Sequence, residues 1–237
     1  MSNITLWDHL FFILIAIVIP VLSLLRGQVN MEEVRLTVSD KKKFYLANAG
    51  VLWIGATMVF ILWLLALRPL EEMGFRSPIM DFLVIGLTGL FIIAYIIETY
   101  TELNREGNED EILKSAAFLP QNSQELGYFM ILAISAGICE EIVYRGFLVN
   151  YLMAVIDDQI LAFNVAVIFP AVIFGVVHMY QGIKSVLKIA IMSLLFSTIF
   201  IFSESLLIVV LLHAGVDIAG GFIGMNISQK AFSKEEE

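Results

Sequence analysis

The sequence predicts an all-α polytopic membrane protein, a helical bundle of about seven transmembrane helices, on three observations. Hydrophobic residues make up 59% of the 237-residue chain and its mean hydropathy is +0.87, whereas soluble domains hold roughly 45–50% apolar residues. Seven runs of about 17–25 mainly apolar residues, the length a helix needs to cross the hydrocarbon core, can be laid along the chain. Charged residues, 16% of the total, gather mostly between those runs and at the C-terminal end. Within lipid each segment must satisfy its own backbone N–H and C=O groups, and a continuous helix does so.

The runs lie near 7–25, 45–67, 81–100, 128–151, 159–178, 185–203 and 205–224. The first reads as a retained span and not a cleaved signal, because Met1 to Asp8 contains no Lys or Arg and no small-residue cleavage pattern follows. The connections 26–44, with Lys41-Lys42-Lys43, and 101–125, rich in Glu, Asn and Gln, read as solvent-exposed loops. With the N-terminus outside, Arg26, Arg35, Lys41, Lys42, Lys43, Arg105, Lys114, Lys184, Lys188, Lys230 and Lys234 fall on the cytoplasmic side. Only Arg68 and Arg76 then fall outside and Arg145 lies within a span, so N-out/C-in is favoured. Trp7, Trp53 and Trp63 stand in or at the ends of spans, where indole rings anchor at the headgroups. Pro170 marks a point where the fifth span can bend. Gly220 and Gly224 give the last span a spacing that admits a close helix neighbour.

Composition also excludes. One cysteine, Cys139, permits neither an intrachain disulfide nor a Cys-based metal cluster and reads as a packing residue. A net charge of −9 does not suggest nucleic-acid binding, and the acidic residues read as solvated surface.

Ionisable residues inside spans are costly, and each must face protein or water. Glu140-Glu141-Ile142-Val143-Tyr144-Arg145 lies in the fourth span. Glu141 and Arg145 stand one turn apart and can pair, while Glu140, rotated about 100° round the helix, is free to point elsewhere as a general base. His178 ends the stretch Phe174-Gly175-Val176-Val177-His178 in the fifth span. His213 and Asp217, again one turn apart in the seventh, can meet on one face, where a carboxylate can orient an imidazole. His9 lies at the amino-terminal membrane edge, away from these groups. Three such clusters in one hydrophobic half point to a shared site. The same residues would also serve a non-catalytic scaffold, an immunity protein or a proton-coupled transporter. Against transport there is no internal repeat, and against a pure scaffold, packing is met more cheaply by Gly, Ser and Thr.

Glu140 to Arg145, Phe174 to His178 and His213 to Asp217 together resemble the Glu-Glu-x-x-x-Arg, Phe-x-x-x-His and His-x-x-x-Asn/Asp pattern of the Abi family, the CAAX protease and bacteriocin-processing (CPBP) family of intramembrane glutamate proteases. The likeness covers roughly residues 128–224 and includes His178-Met179-Tyr180-Gln181-Gly182. It implies peptide-bond hydrolysis within the membrane, with Glu140 and His178 activating water, His213 and Asp217 at the oxyanion, and Glu141 and Arg145 in support. An ionised Asp cannot donate to an oxyanion as Asn can, so Asp217 is expected to orient His213 or to be protonated.

The resemblance implies no cofactor; the alternative is a zinc site made by two His and one Glu, although no His-Glu-x-x-His helix is present. The implied partners are the bilayer and a peptide or protein substrate, prenylated or carrying a leader, while the small size and lack of targeting signals fit a prokaryotic plasma membrane. The chain then divides into N-terminal membrane helices with polar loops (1–125), a catalytic membrane core (126–224) and a charged tail (225–237).

Overall fold

The computed structural model describes residues 1–26, 36–104 and 118–235. Among them are eight helices: α1 (Leu6–Arg26), α2 (Val38–Leu65), the short α3 (Leu70–Met73), α4 (Phe82–Leu103), α5 (Ser123–Val155), α6 (Gln159–Val177), α7 (Ile183–Ser203) and α8 (Leu206–Glu235). All but α3 are long and apolar enough to cross a membrane, which makes seven candidate spans. Of the basic residues used to orient the chain, Arg35, Arg105 and Lys114 lie outside the described residues, as do the side chains of Lys230 and Lys234.

The spans begin where local capping begins, and two begin earlier than hydropathy indicates. Thr37 Oγ1 accepts the Asp40 N–H (3.2 Å) and donates to the Asp40 carboxylate (2.7 Å), so α2 starts at Val38, seven residues ahead of the apolar run. Asn122 Oδ1 accepts the Glu125 N–H (2.9 Å) and opens α5 in the same way. Asp158 caps α6 through the Leu161 N–H (2.8 Å). Pro170 is buried within α6, which continues on both sides of it.

The chain forms two compact units. The first comprises Met1–Val29, Gly55–Phe91 and Glu140–Val210; the second comprises Asn30–Ile54, Ile92–Cys139 and Leu211–Glu237. In the first, Val59, Trp63, Met73, Phe147, Leu148 and Ile199 are wholly buried. Asp8 and Arg68, also buried, make a two-pronged pair there: Arg68 NH1 donates to Asp8 Oδ1 (2.9 Å) and NH2 to Oδ2 (2.6 Å). The guanidinium lies over the Trp63 ring (5.1 Å), and Trp63 Nε1 donates to the Pro69 carbonyl (2.9 Å). Trp63 is thus an interior residue and not a headgroup anchor. α6 and α7 approach so closely that a Cβ on Gly175 would stand 2.8 Å from the Val186 carbonyl oxygen.

In the second unit Lys41 Nζ donates to Glu125 Oε2 (2.9 Å) and to the Leu119 carbonyl (2.8 Å), with both charged side chains buried. The expectation that 26–44 and 101–125 are solvated loops therefore fails at these two positions. Lys41 lies in a helix and finds its carboxylate partner across 84 residues. The glycine expectation is corrected as well. A Cβ on Gly220 would meet nothing within 4 Å, whereas one on Gly221 would stand 2.6 Å from Phe129 and one on Gly224 2.8 Å from Leu119. The small-residue contacts are made by Gly221 and Gly224.

Candidate active site

The first cluster sits where α5 changes its pitch. Its first α-helical stretch ends at Glu141, Ile142–Val149 follow as a π-helix in which every residue is buried, and Asn150–Val155 return to α-helix. Such i→i+5 segments are rare overall and frequent at functional sites; a second one, Leu14–Val18, lies in α1. Asn150 braces the segment in α5: its Nδ2 donates to the Gly146 carbonyl (2.9 Å) and to the Glu72 carbonyl in α3 (3.0 Å). Gly146 permits the approach of α3, since a Cβ there would lie 3.0 Å from Met73 Cγ.

Within this segment Glu141 and Arg145 make the one-turn pair, NH1 to Oε1 at 2.8 Å, with both side chains wholly buried. Two buried charges are tolerated only when further polar contacts replace their water. Arg145 NH2 donates to both the carbonyl (2.9 Å) and the hydroxyl (2.7 Å) of Ser193 on α7. The Phe174 and Phe196 rings lie 5.4 Å and 5.5 Å from the guanidinium carbon, within cation–π range. Glu140, half-buried on the preceding residue, lies close enough for its charge to act on Tyr144 and Arg145.

His178 caps the C-terminus of α6. Its Nδ1 lies 2.7 Å from the Phe174 carbonyl oxygen. A carbonyl only accepts, so Nδ1 carries a proton, and in the neutral form of the ring the lone pair is on Nε2. The Phe174 ring packs against Tyr144 (centroids 4.7 Å) and against His178 (4.8 Å). Phe174 therefore links the α5 cluster to His178 by ring, cation–π contact and carbonyl at once.

His213 and Asp217 belong to the second unit. His213 is buried, and its Nε2 stands 3.7 Å from Asp217 Oδ2. That separation is too long for a hydrogen bond, and the two groups become an ion pair when His213 is protonated. A Cβ on Gly137 would stand 2.7 Å from the Ala214 backbone nitrogen, so α8 meets α5 there backbone to backbone. Such close approach is the usual service of small residues in membrane helices. His9 is bonded through Nδ1 to Tyr151 (2.6 Å) and is not part of this group. Among the described residues no three His, Cys, Asp or Glu side chains gather closely enough to hold a metal ion.

Sequence reasoning missed Ser193, Asn150 and the pitch change, and treated Phe174 only as a motif letter. Ser193 had a faint signal: Ser193 and Ser197, one turn apart in an otherwise apolar span, are both buried. The π-helix had none, because its stabilising contact comes from Glu72, far away in the chain.

Residues 122–219 match the family model described as Type II CAAX prenyl endopeptidase Rce1-like. The matched stretch includes Glu140, Glu141, Arg145, His178, His213 and Asp217. No curated protein and no solved structure matches the chain. Over these residues the chain is similar to that family.

Proposed function

We propose that this chain is an intramembrane endopeptidase that hydrolyses peptide bonds of membrane-associated or lipid-modified substrates, prenylated C-terminal tails first among them. The observation that carries the reading is the tautomer of His178. With its Nδ1 proton held by Phe174, Nε2 is the ring nitrogen that acts as a base, and Glu140, the second base, lies one turn before the Tyr144 ring that packs on Phe174.

In this reaction a water molecule lies between Glu140 and His178 Nε2. As its oxygen attacks the scissile carbonyl carbon, its proton passes to these bases. The carbonyl oxygen becomes an oxyanion, and collapse of the tetrahedral intermediate breaks the C–N bond. The departing amine takes the proton back, so the bases are regenerated and hydrolysis is balanced. His213 donates to the oxyanion, where scarce water strengthens the bond, and the Asp217 carboxylate favours the proton on His213. Glu141 and Arg145 hold α5 in place and do not touch substrate. Seven candidate spans make the chain an integral membrane protein, which we take to lie N-out/C-in in a prokaryotic plasma membrane.

The test uses purified protein in liposomes with a farnesylated C-terminal peptide and, beside it, an unprenylated leader peptide. The wild type is expected to cleave the farnesylated peptide with or without chelator, while folded Glu140→Ala and His178→Ala are inactive. Undiminished cleavage by these variants would remove the catalytic assignment. Loss of activity to chelators, restored by zinc, would replace it with metal chemistry.

A further inference from the structure

The last four carbonyls of an α-helix have no partners within it, and inside a membrane each must find one elsewhere. The C-terminus of α6 draws its partners from His178 and from α1. The Phe174 carbonyl accepts from His178 Nδ1 (2.7 Å), and that of Gly175 from the His178 N–H (3.1 Å). The Val176 and Val177 carbonyls both lie within reach of Ser23 Oγ, at 3.0 Å and 3.1 Å. The single Ser23 hydroxyl proton is shared between these two carbonyls, so the end of α6, and thus the place of His178, is held in part from α1.

Ser23 is a polar residue in a lipid-facing setting. Leu22, Leu24 and Leu25 are all exposed apolar side chains, and Ser23 alone among these four turns inward to α6. Val177 adjoins His178, and the imidazole reaches back to the carbonyl one turn earlier. If the final turn of α6 frays, the Phe174 to His178 bond loses its geometry, because ring and carbonyl belong to the turn that is fraying. Misplacement of a base by about 1 Å can cost as much as 10²-fold in rate.

We infer that Ser23 is a positioning residue for His178: its hydroxyl pins the end of α6, so that α1, which lies outside the matched residues 122–219, is a working part of the site. The inference rests on the reading that His178 activates water. Ser23 touches neither substrate nor the reacting water; it acts through the helix end.

The test compares full-length Ser23→Ala, Ser23→Thr and the lipid-facing control Leu24→Ala in liposomes with the farnesylated peptide. Ser23→Ala is expected to lower kcat about tenfold with KM within about twofold, and Ser23→Thr, which restores a hydroxyl, to recover to within about threefold. In parallel, ring nitrogen NMR of ¹⁵N-histidine protein, with His178 assigned by its loss in His178→Gln, should show the Nδ1–H tautomer weakened in Ser23→Ala only. A kcat for Ser23→Ala within twofold of wild type overturns the inference, as does an equal loss in Leu24→Ala or no recovery in Ser23→Thr. Should Ser23→Ala fail to accumulate, Ser23→Cys decides: its weak donor should give an intermediate kcat, and a wild-type kcat overturns the inference. If His178→Ala cleaves like wild type, the reading of the site falls separately. The NMR arm then decides alone, an unchanged tautomer in Ser23→Ala counting against Ser23.

Discussion

Arg68 and Arg145 are both wholly buried arginines of the first unit, each paired with a carboxylate and each lying over aromatic rings, yet their surroundings differ. Arg68 has every nitrogen engaged: Nε with the Ser2 carbonyl, NH1 with Asp8, and NH2 with Asp8 and the Asn3 carbonyl. Arg145 meets Glu141 through a single bond, gives NH2 to Ser193, and has no hydrogen-bond partner at Nε among the described residues. The saturated arginine fastens the N-terminal segment to the turn after α2. The less saturated one sits in a π-helix beside a half-buried Glu140 and packs on the Phe174 that holds His178. Burial of a charge therefore does not by itself mark a site.

The comparison makes its largest prediction at the chemistry. Glu140→Gln, measured as cleavage of the farnesylated peptide, should lose at least about 10³-fold in kcat, within the range of a general base, while thermal unfolding in detergent stays near wild type. A next step removes each arginine. Arg68→Ala and Arg145→Ala each strand a buried carboxylate and should each cost about 3–5 kcal/mol of stability by denaturant unfolding. Only Arg145→Ala should also lower kcat per folded molecule; an equal kcat loss in Arg68→Ala would erase the distinction.

Smaller effects sharpen it. Ser193→Ala removes one charge-assisted bond but leaves the Ser193 carbonyl in place, so a loss of about 1.5 kcal/mol is expected in the same unfolding assay. Asn150→Ala releases the π-helix from the Glu72 carbonyl and should cost about 1–3 kcal/mol for the unsatisfied groups. The smallest change is expected from Gly220→Ala, where open space should leave stability within about 1 kcal/mol. Gly224→Ala, by contrast, crowds Leu119 and should cost about 1–3 kcal/mol.

The helix positions were legible because hydropathy and length are local properties, and the ends of α4, α6 and α7 fall within a few residues of the apolar runs. The early starts of α2 and α5 were not, since capping by Thr37 and Asn122 adds polar turns that hydropathy counts as loop. The pairing of Glu141 with Arg145 followed from helical pitch and forms as expected. The pairing of His213 with Asp217 followed from the same pitch, but the 3.7 Å separation is too long for a hydrogen bond and makes an ion pair only when His213 is protonated. Trp63, assigned to the headgroups by type alone, is buried because Arg68 and Pro69 supply its ring and its N–H with partners.

By itself the sequence determined seven spans, the one-turn carboxylate pairings and the residues of the Glu-Glu-x-x-x-Arg, Phe-x-x-x-His and His-x-x-x-Asp pattern. These depend on hydrophobicity and on the repeat of a single helix, which act over a few residues. Only the tertiary structure decided that Asp8 meets Arg68 across 60 positions, that Lys41 meets Glu125 across 84 and that Ser23 meets Val177 across 154. It also decided that α5 widens after Glu141. Each depends on polar groups that have no partner within their own helix and must find one from another segment once water is gone. No local pattern in the chain encodes which segment that is.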